Sequence, residues 1–120
     1  MTRTALITGS AGFIGYFTAR RLLDQGWRVI GLDAMTDYYD VTLKERRHAM
    51  LNQSAGFSAV TERLETPGVL LDLFNQHRPD AVIHLAAQAG VRYSIDNPRS
   101  YVEANLVGTF ELLEAARAVP

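Results

Sequence analysis

Short apolar runs alternate along this chain with longer segments whose apolar positions recur every three or four residues. Runs at residues 4–8 (Thr-Ala-Leu-Ile-Thr), 28–33, 57–61 and 81–86 are five or six residues long and apolar at consecutive positions. That pattern predicts strands covered on both faces, as in a parallel sheet. Between and after them, residues 13–25, 41–52, 67–77 and 98–118 read as helices. Gly26 stops the first, Pro67 suits the first turn of the third, and Arg78-Pro79-Asp80 breaks the chain before the fourth strand. In the last and longest, Tyr101, Asn105, Gly108 and Leu112 fall on one face at helical spacing. Strict strand–helix alternation with right-handed crossovers places the strands in the order 3-2-1-4. The fold class is therefore α/β, a doubly wound parallel sheet of Rossmann type, of which the chain supplies the first half. No repeat, linker or low-complexity tract interrupts it.

The first strand runs directly into Thr8-Gly9-Ser10-Ala11-Gly12-Phe13-Ile14-Gly15, and the second ends at Asp33. A glycine turn opening a helix brings unpaired N–H groups and a partial positive charge together, which suits a dinucleotide diphosphate. Glycine is required there because a Cβ would block the approach of backbone to phosphate and of helix to sheet. The spacing is Gly-x-x-Gly-x-x-Gly, not the commoner Gly-x-Gly-x-x-Gly, and a glycine cluster alone equally describes a tight turn with a helix cap. Asp33, about 20 residues beyond the turn, stands where an acid accepts hydrogen bonds from adenosine ribose hydroxyls. A carboxylate there repels a 2′-phosphate, which favours NAD over NADP. The alternative for Asp33 is a strand-end turn residue.

Composition narrows the partners. The 120 residues are 48% hydrophobic, enough for one compact core and too few for two ordinary domains. A formal charge of −1 gives no reason to expect nucleic acid or an anionic membrane as partner. With no cysteine, these residues hold no disulfide, thiolate metal site or cysteine nucleophile. No signal peptide, lipidation motif or long apolar span is visible, so a soluble cytoplasmic protein is expected. No three ligands show metal-site spacing.

The Thr-Gly-x-x-Gly-Phe-Ile-Gly pattern resembles the extended short-chain dehydrogenase/reductase family, the sugar-nucleotide epimerases and dehydratases. The stretch from His84 to Ser94 (HLAAQAGVRYS), then Asn97-Pro98 and residues 101–109 (YVEANLVGT), is similar to the family's UDP-glucuronate 4-epimerases. So is Asp37-Tyr38-Tyr39-Asp40-Val41-Thr42-Leu43-Lys44, although no role beyond a loop contact follows for Tyr38, Tyr39 or Asp40. The likeness covers nearly all of the chain.

It implies an NAD-dependent epimerase that interconverts UDP-glucuronate and UDP-galacturonate through a 4-keto sugar, acting as a homodimer on a UDP-sugar. Another epimerase, a 4,6-dehydratase or a decarboxylase of the family shares the same front half. A reading of a different class is a nucleotide-binding module without catalysis. The resemblance assigns cofactor contacts to Gly9, Ala11, Gly12, Phe13, Ile14, Gly15, Asp33, Leu64, Ala86, Ala87, Gln88 and Asn105. Phe13 and Ile14 would offer backbone N–H groups, with Ile14 also packed beneath the helix. Small residues at Ala86 and Ala87 would let the backbone pass close to the nicotinamide half, or simply close a buried strand end. Asn105 would brace the end of the fourth strand.

Arg92 is a candidate for a uronate carboxylate or nucleotide phosphate, through a bidentate guanidinium, against the alternative of a solvated loop residue. Ser94 is a candidate contact to the sugar. No catalytic residue is assigned: the family's Tyr-x-x-x-Lys is absent from these residues, whose only lysine, Lys44, follows Asp40 by four. The chain then reads as residues 1–120 of an NAD-binding domain, inactive alone and prone to self-association through an uncovered sheet edge and helix face.

Two positions depart from the family pattern. Ala34 replaces the usual Asn after the acid, and Arg63 stands near an acidic position that would grip the adenine amine. Arginine has no acceptor for that amine, which leaves backbone groups around Leu64. Arg3 reads as an exposed charge before the first strand in preference to a phosphate contact. His84, inside an apolar strand, reads as a hydrogen-bonded core histidine, and His48 and His77 as helix-surface residues.

Overall fold

The computed structural model describes residues 2–35, 41–88 and 91–119, the side chains of Val91 and Arg92 excepted. Four parallel strands, β1 (Thr4–Thr8), β2 (Arg28–Leu32), β3 (Phe57–Val60) and β4 (Ala81–His84), form one sheet in the order β3-β2-β1-β4. Thr8 pairs with Leu32 on one side and His84 on the other. The carboxyl ends of three strands are thereby level, so the loops leaving them share one edge of the sheet.

Helices α1 (Phe13–Asp24) and α2 (Val41–Leu51) supply the cover on one face. Ile7, Val29 and Phe57 pack there with Tyr16, Ala19 and Leu51. On the opposite face, Leu6, Ile30 and Leu32 meet α3 (Val69–His77) and α6 (Gly108–Ala118) through Leu70, Leu73, Phe74, Leu112 and Ala115. Because adjacent strand residues point to opposite faces and both faces are dry, the strands read as unbroken apolar runs. This is the doubly wound, Rossmann-type arrangement expected from the alternation.

Three local features differ from the sequence expectation. The third helix begins at Val69, not at Pro67. Residues 66–69 form a turn in which the Val69 N–H donates to the Thr66 carbonyl at 3.3 Å. Pro67 and Gly68 (φ +89°) fill its middle positions, as a type II turn requires. The last three strands also end sooner, β2 and β3 by one residue and β4 at His84 in place of residue 86, whereas β1 has the expected bounds.

The long helix is not uniform. A short helix α4 (Val91–Asp96) precedes α5 (Pro98–Tyr101), and a π-helical stretch, Val102–Val107, leads into α6. Helical dihedrals continue through Val102, Val107 and Gly108, so the axis widens without breaking. The wide turn carries Asn105 toward the loop after β4 and sets Gly108 against Leu64. A Cβ on Gly108 would lie 2.7 Å from the Leu64 side chain.

Candidate functional site

A cleft of about 370 Å³ opens along the carboxyl edge of the sheet. Its floor is the glycine turn, with Gly9, Gly12, Phe13, Ile14 and Gly15 lining it; Asp33, Ala34 and Lys44 form one wall, and Ala86, Ala87 and Gln88 another. Glu62, Arg63, Leu64 and Glu65 close the end beyond β3.

The turn is held by backbone bonds that only glycine permits. The Gly9 N–H donates to the Leu32 carbonyl at 2.7 Å, and Gly9 itself has φ +78°. A Cβ on Gly9 would approach the Ala86 nitrogen to 2.9 Å. At Gly15 a Cβ would fall 2.0 Å from the Gly9 carbonyl oxygen, so the helix sits directly on the turn. Gly12 caps α1 with an extended backbone, and the first α-helical bond runs from the Tyr16 N–H to its carbonyl. The N–H groups of the first helical turn have no intrahelical acceptor.

Asp33, almost fully buried, does structural work here. Its Oδ2 accepts from the Ala11 N–H at 3.0 Å and its Oδ1 from the Met35 N–H at 2.8 Å. Each carboxylate oxygen keeps a second lone pair for a further donor. The strand-end turn role and a role in the cleft are thus compatible.

Ala11 is fully buried and absent from the cleft lining; its N–H is spent on Asp33. Ile14 is 64% exposed, so it does not pack beneath the helix as expected: its side chain points away from the sheet, which Gly15, Tyr16 and Ala19 face instead. Leu64 is buried in the core with its edge toward the cleft. Arg63 lines the cleft and lies 3.4 Å from Glu65, an exposed pair worth little to stability. Arg3 is exposed at the opposite end of β1, over the Trp27 ring at 5.7 Å.

Beyond β4, Thr8 Oγ1 accepts from the N–H groups of Leu85 (3.0 Å) and Ala86 (3.1 Å), pinning the strand exit beside the glycine turn. Asn105 extends the same brace. Its Oδ1 accepts from the Gln88 N–H at 2.7 Å, and its Nδ2 donates to the Gln88 carbonyl at 3.1 Å. Ser94 lies on α4, outside the cleft lining. Arg92 belongs to the same helix, but its side chain falls outside the described residues, as do Tyr38, Tyr39 and Asp40.

His84 is hydrogen-bonded as expected but half-buried, outside both core clusters, and the desolvation of that burial lowers its pKa. His48 is not a surface residue: it is 5% exposed, with Nε2 at 2.6 Å from Ser10 Oγ. The desolvation of burial lowers its pKa, partly opposed by the charge on Asp33. Lys44, His48 and Leu51 form the buried side of α2. Sequence reasoning assigned no site role to Lys44, Arg47 or His48. The spacing of four and three residues was the available signal, disguised because the buried side of this helix is largely polar.

Among the described residues, no cluster of His, Asp or Glu could hold a metal ion, and no helix is long and apolar enough to cross a membrane.

The sequence family described as GDP-mannose 4,6 dehydratase matches residues 6–120. A probable UDP-glucuronate 4-epimerase of Rhizobium meliloti is 59% identical over 95% of this chain, and UDP-glucuronate 4-epimerase 4 of Arabidopsis thaliana is 45% identical over 97%. This chain covers 33% and 26% of those proteins, so it spans about a third or less of their length. Among solved structures, UDP-glucuronic acid 4-epimerase from Bacillus cereus, in complex with UDP-glucuronic acid and NAD, superposes with a TM-score of 0.88 at 33% identity. The match covers 98% of this chain and 37% of that one.

Proposed function

Because this chain belongs to the GDP-mannose 4,6 dehydratase family, we propose that it is the NAD-binding part of a UDP-glucuronate 4-epimerase. The observation that carries the reading is the meeting of the glycine turn, Asp33 and the strand exit at Ala86–Gln88 in one cleft.

The residues fit a dinucleotide. Gly9 and Gly15 let the exit of β4 and the start of α1 close directly on the turn, and the first turn of α1 opens toward the cleft with its N–H groups unspent by the helix. In this reading those groups take the diphosphate, favoured by the helix dipole. Asp33 accepts from the adenosine ribose, and its charge disfavours a 2′-phosphate. Ala86 and Ala87 leave space beside the nicotinamide half, with Gln88 fixed by Asn105. Ala34 and Arg63 offer no acceptor for the adenine amine, so backbone groups around Leu64 serve that end.

Bound NAD supplies reversible hydride acceptance at C4 of the sugar. The chain's contribution is to hold that cofactor through both half-reactions, so that the 4-keto sugar receives the hydride on either face. Arg92 and Ser94 are proposed for the uronate sugar nucleotide. No residue among the 120 is assigned the proton transfer at the sugar hydroxyl.

A homodimer belongs to the same proposal. Val102, Leu106, Phe110 and Leu113 are each more than half exposed and follow one another at helical spacing along the last helix. Such a stripe favours helix-to-helix association. Cytoplasmic residence is also proposed, in keeping with a chain that has no cysteine to oxidise.

The test is to incubate the full-length protein with UDP-glucuronate and follow the products by proton NMR. Formation of UDP-galacturonate without net NADH is expected. Loss of C6 as carbon dioxide, or a 4-keto-6-deoxy product, would replace this reading with a decarboxylase or dehydratase.

A further inference from the structure

We propose that His48 of α2 is a positioning residue that sets the shape of the phosphate-binding turn from its buried side. Ser10 and Ala11 are the two residues between Gly9 and Gly12, and both are fully buried. They turn inward while the neighbouring glycines line the cleft. Ser10 Oγ lies 2.6 Å from His48 Nε2. One residue on, Arg47 Nη1 donates to the Ala11 carbonyl at 3.0 Å. Since the Ala11 N–H is held by Asp33, every polar group of that residue's backbone is fixed by a side chain.

The surroundings fit the pair. Gly31 leaves the space: a Cβ there would stand 2.6 Å from Ser10 Oγ and 2.6 Å from the Phe57 ring. The His48 imidazole meets the same Phe57 ring edge-to-face, 5.5 Å between centroids. An imidazole wedged this way has little freedom to leave Ser10, and a buried hydroxyl stripped of its partner would pull the turn from its present path. The glycines let α1 and the exit of β4 close on the turn, and α2 holds the turn in that shape.

The inference rests on the dinucleotide reading above, and its test separates the two. NAD affinity is measured by calorimetry for the full-length protein and its Ser10→Ala, His48→Leu, double and His48→Gln variants. Hydrogen exchange at the Gly12 amide is followed in the same samples without ligand. Each single change is expected to weaken NAD binding about 5- to 10-fold, the loss of one buried hydrogen bond. The double variant should be no weaker than the worse single, because the two side chains act as a unit. His48→Gln, which keeps a nitrogen within reach, should recover binding to within about twofold. Gly12 protection should fall about tenfold in Ser10→Ala and return with His48→Gln in place of His48→Leu.

Wild-type affinity in Ser10→Ala, or losses that multiply in the double variant, would overturn the positioning role. If the wild type binds no NAD, the cofactor reading fails, and the exchange data still decide this one: unchanged protection refutes it. Ser10→Ala creates almost no cavity, so it keeps the test open should His48→Leu fail to fold.

Discussion

His84 Nδ1 lies 2.6 Å from Thr8 Oγ1, and the direction of that bond follows from its neighbours. Thr8 Oγ1 already accepts from the Leu85 and Ala86 N–H groups, so its own hydrogen goes to Nδ1. The imidazole therefore carries its proton on Nε2, which faces Thr109 Oγ1 at 3.2 Å. Thr109 in turn donates to the Asn105 carbonyl at 2.6 Å. One directed chain of bonds thus runs from the glycine turn's strand, through β4, to the π-helical stretch.

Thr8→Val removes the hydroxyl at the head of that chain while keeping the shape. The Ala86 N–H and one imidazole nitrogen lose their partner in a partly buried place, while the Leu85 N–H keeps the Thr8 carbonyl at 3.1 Å. A destabilisation of about 2–4 kcal/mol is expected from chemical denaturation. A change below about 0.5 kcal/mol would mean that water replaces the hydroxyl at no cost.

Folding stability should depend on histidine protonation. Burial depresses the pKa of both His48 and His84 below the ordinary value of 6.5. The unfolded chain then binds more protons than the folded one as pH falls through about 6.5, so stability is full above that pH and drops below it. Denaturation midpoints at about pH 7.5 and 5.5 should differ in the wild type and differ less in His48→Gln. Equal midpoints would show that neither histidine gains or loses a proton on unfolding.

Two glycines with different surroundings should respond differently. Gly15→Ala drives a methyl into the Gly9 carbonyl and should weaken NAD binding more than about tenfold. Gly26 has φ +88° but nothing within 4 Å of its missing Cβ. Gly26→Ala should cost about 1 kcal/mol of stability and leave NAD affinity unchanged. Calorimetric titration of both variants checks the contrast.

The apolar stripe on the last helix gives a prediction about assembly. Leu106→Glu combined with Phe110→Glu places two charges on the proposed dimer surface. Sedimentation should show a dimer in the wild type and a monomer in the double variant. A wild-type monomer at high concentration would remove the proposal.

How much the sequence disclosed depends on where the deciding interactions lie. Strand order, the glycine turn and Asp33 were legible because their signals are local: apolar runs, glycine spacing and one acid at a strand end. The buried position of His48 was not, because its partner Ser10 is 38 residues away and a polar helix face normally predicts solvent. The π-helical stretch was hidden for a similar reason. Residues 98–118 have an ordinary helical pattern, and the widening answers to tertiary partners, Gln88 for Asn105 and Leu64 for Gly108. The start of α3 shows the reverse case, since Thr66-Pro67-Gly68 carries a turn signature that a preference for proline in a first helical turn overrode.

The most direct test titrates the full-length protein, freed of any bound nucleotide, with NAD and with NADP in the calorimeter, alongside Asp33→Asn. NAD should bind one site per chain, and NADP at least about tenfold more weakly, because the carboxylate repels a 2′-phosphate. Asp33→Asn should lower NAD affinity and narrow the gap. Equal binding of the two cofactors, or a gap that Asp33→Asn leaves untouched, would contradict a dinucleotide held by the glycine turn with its ribose on Asp33.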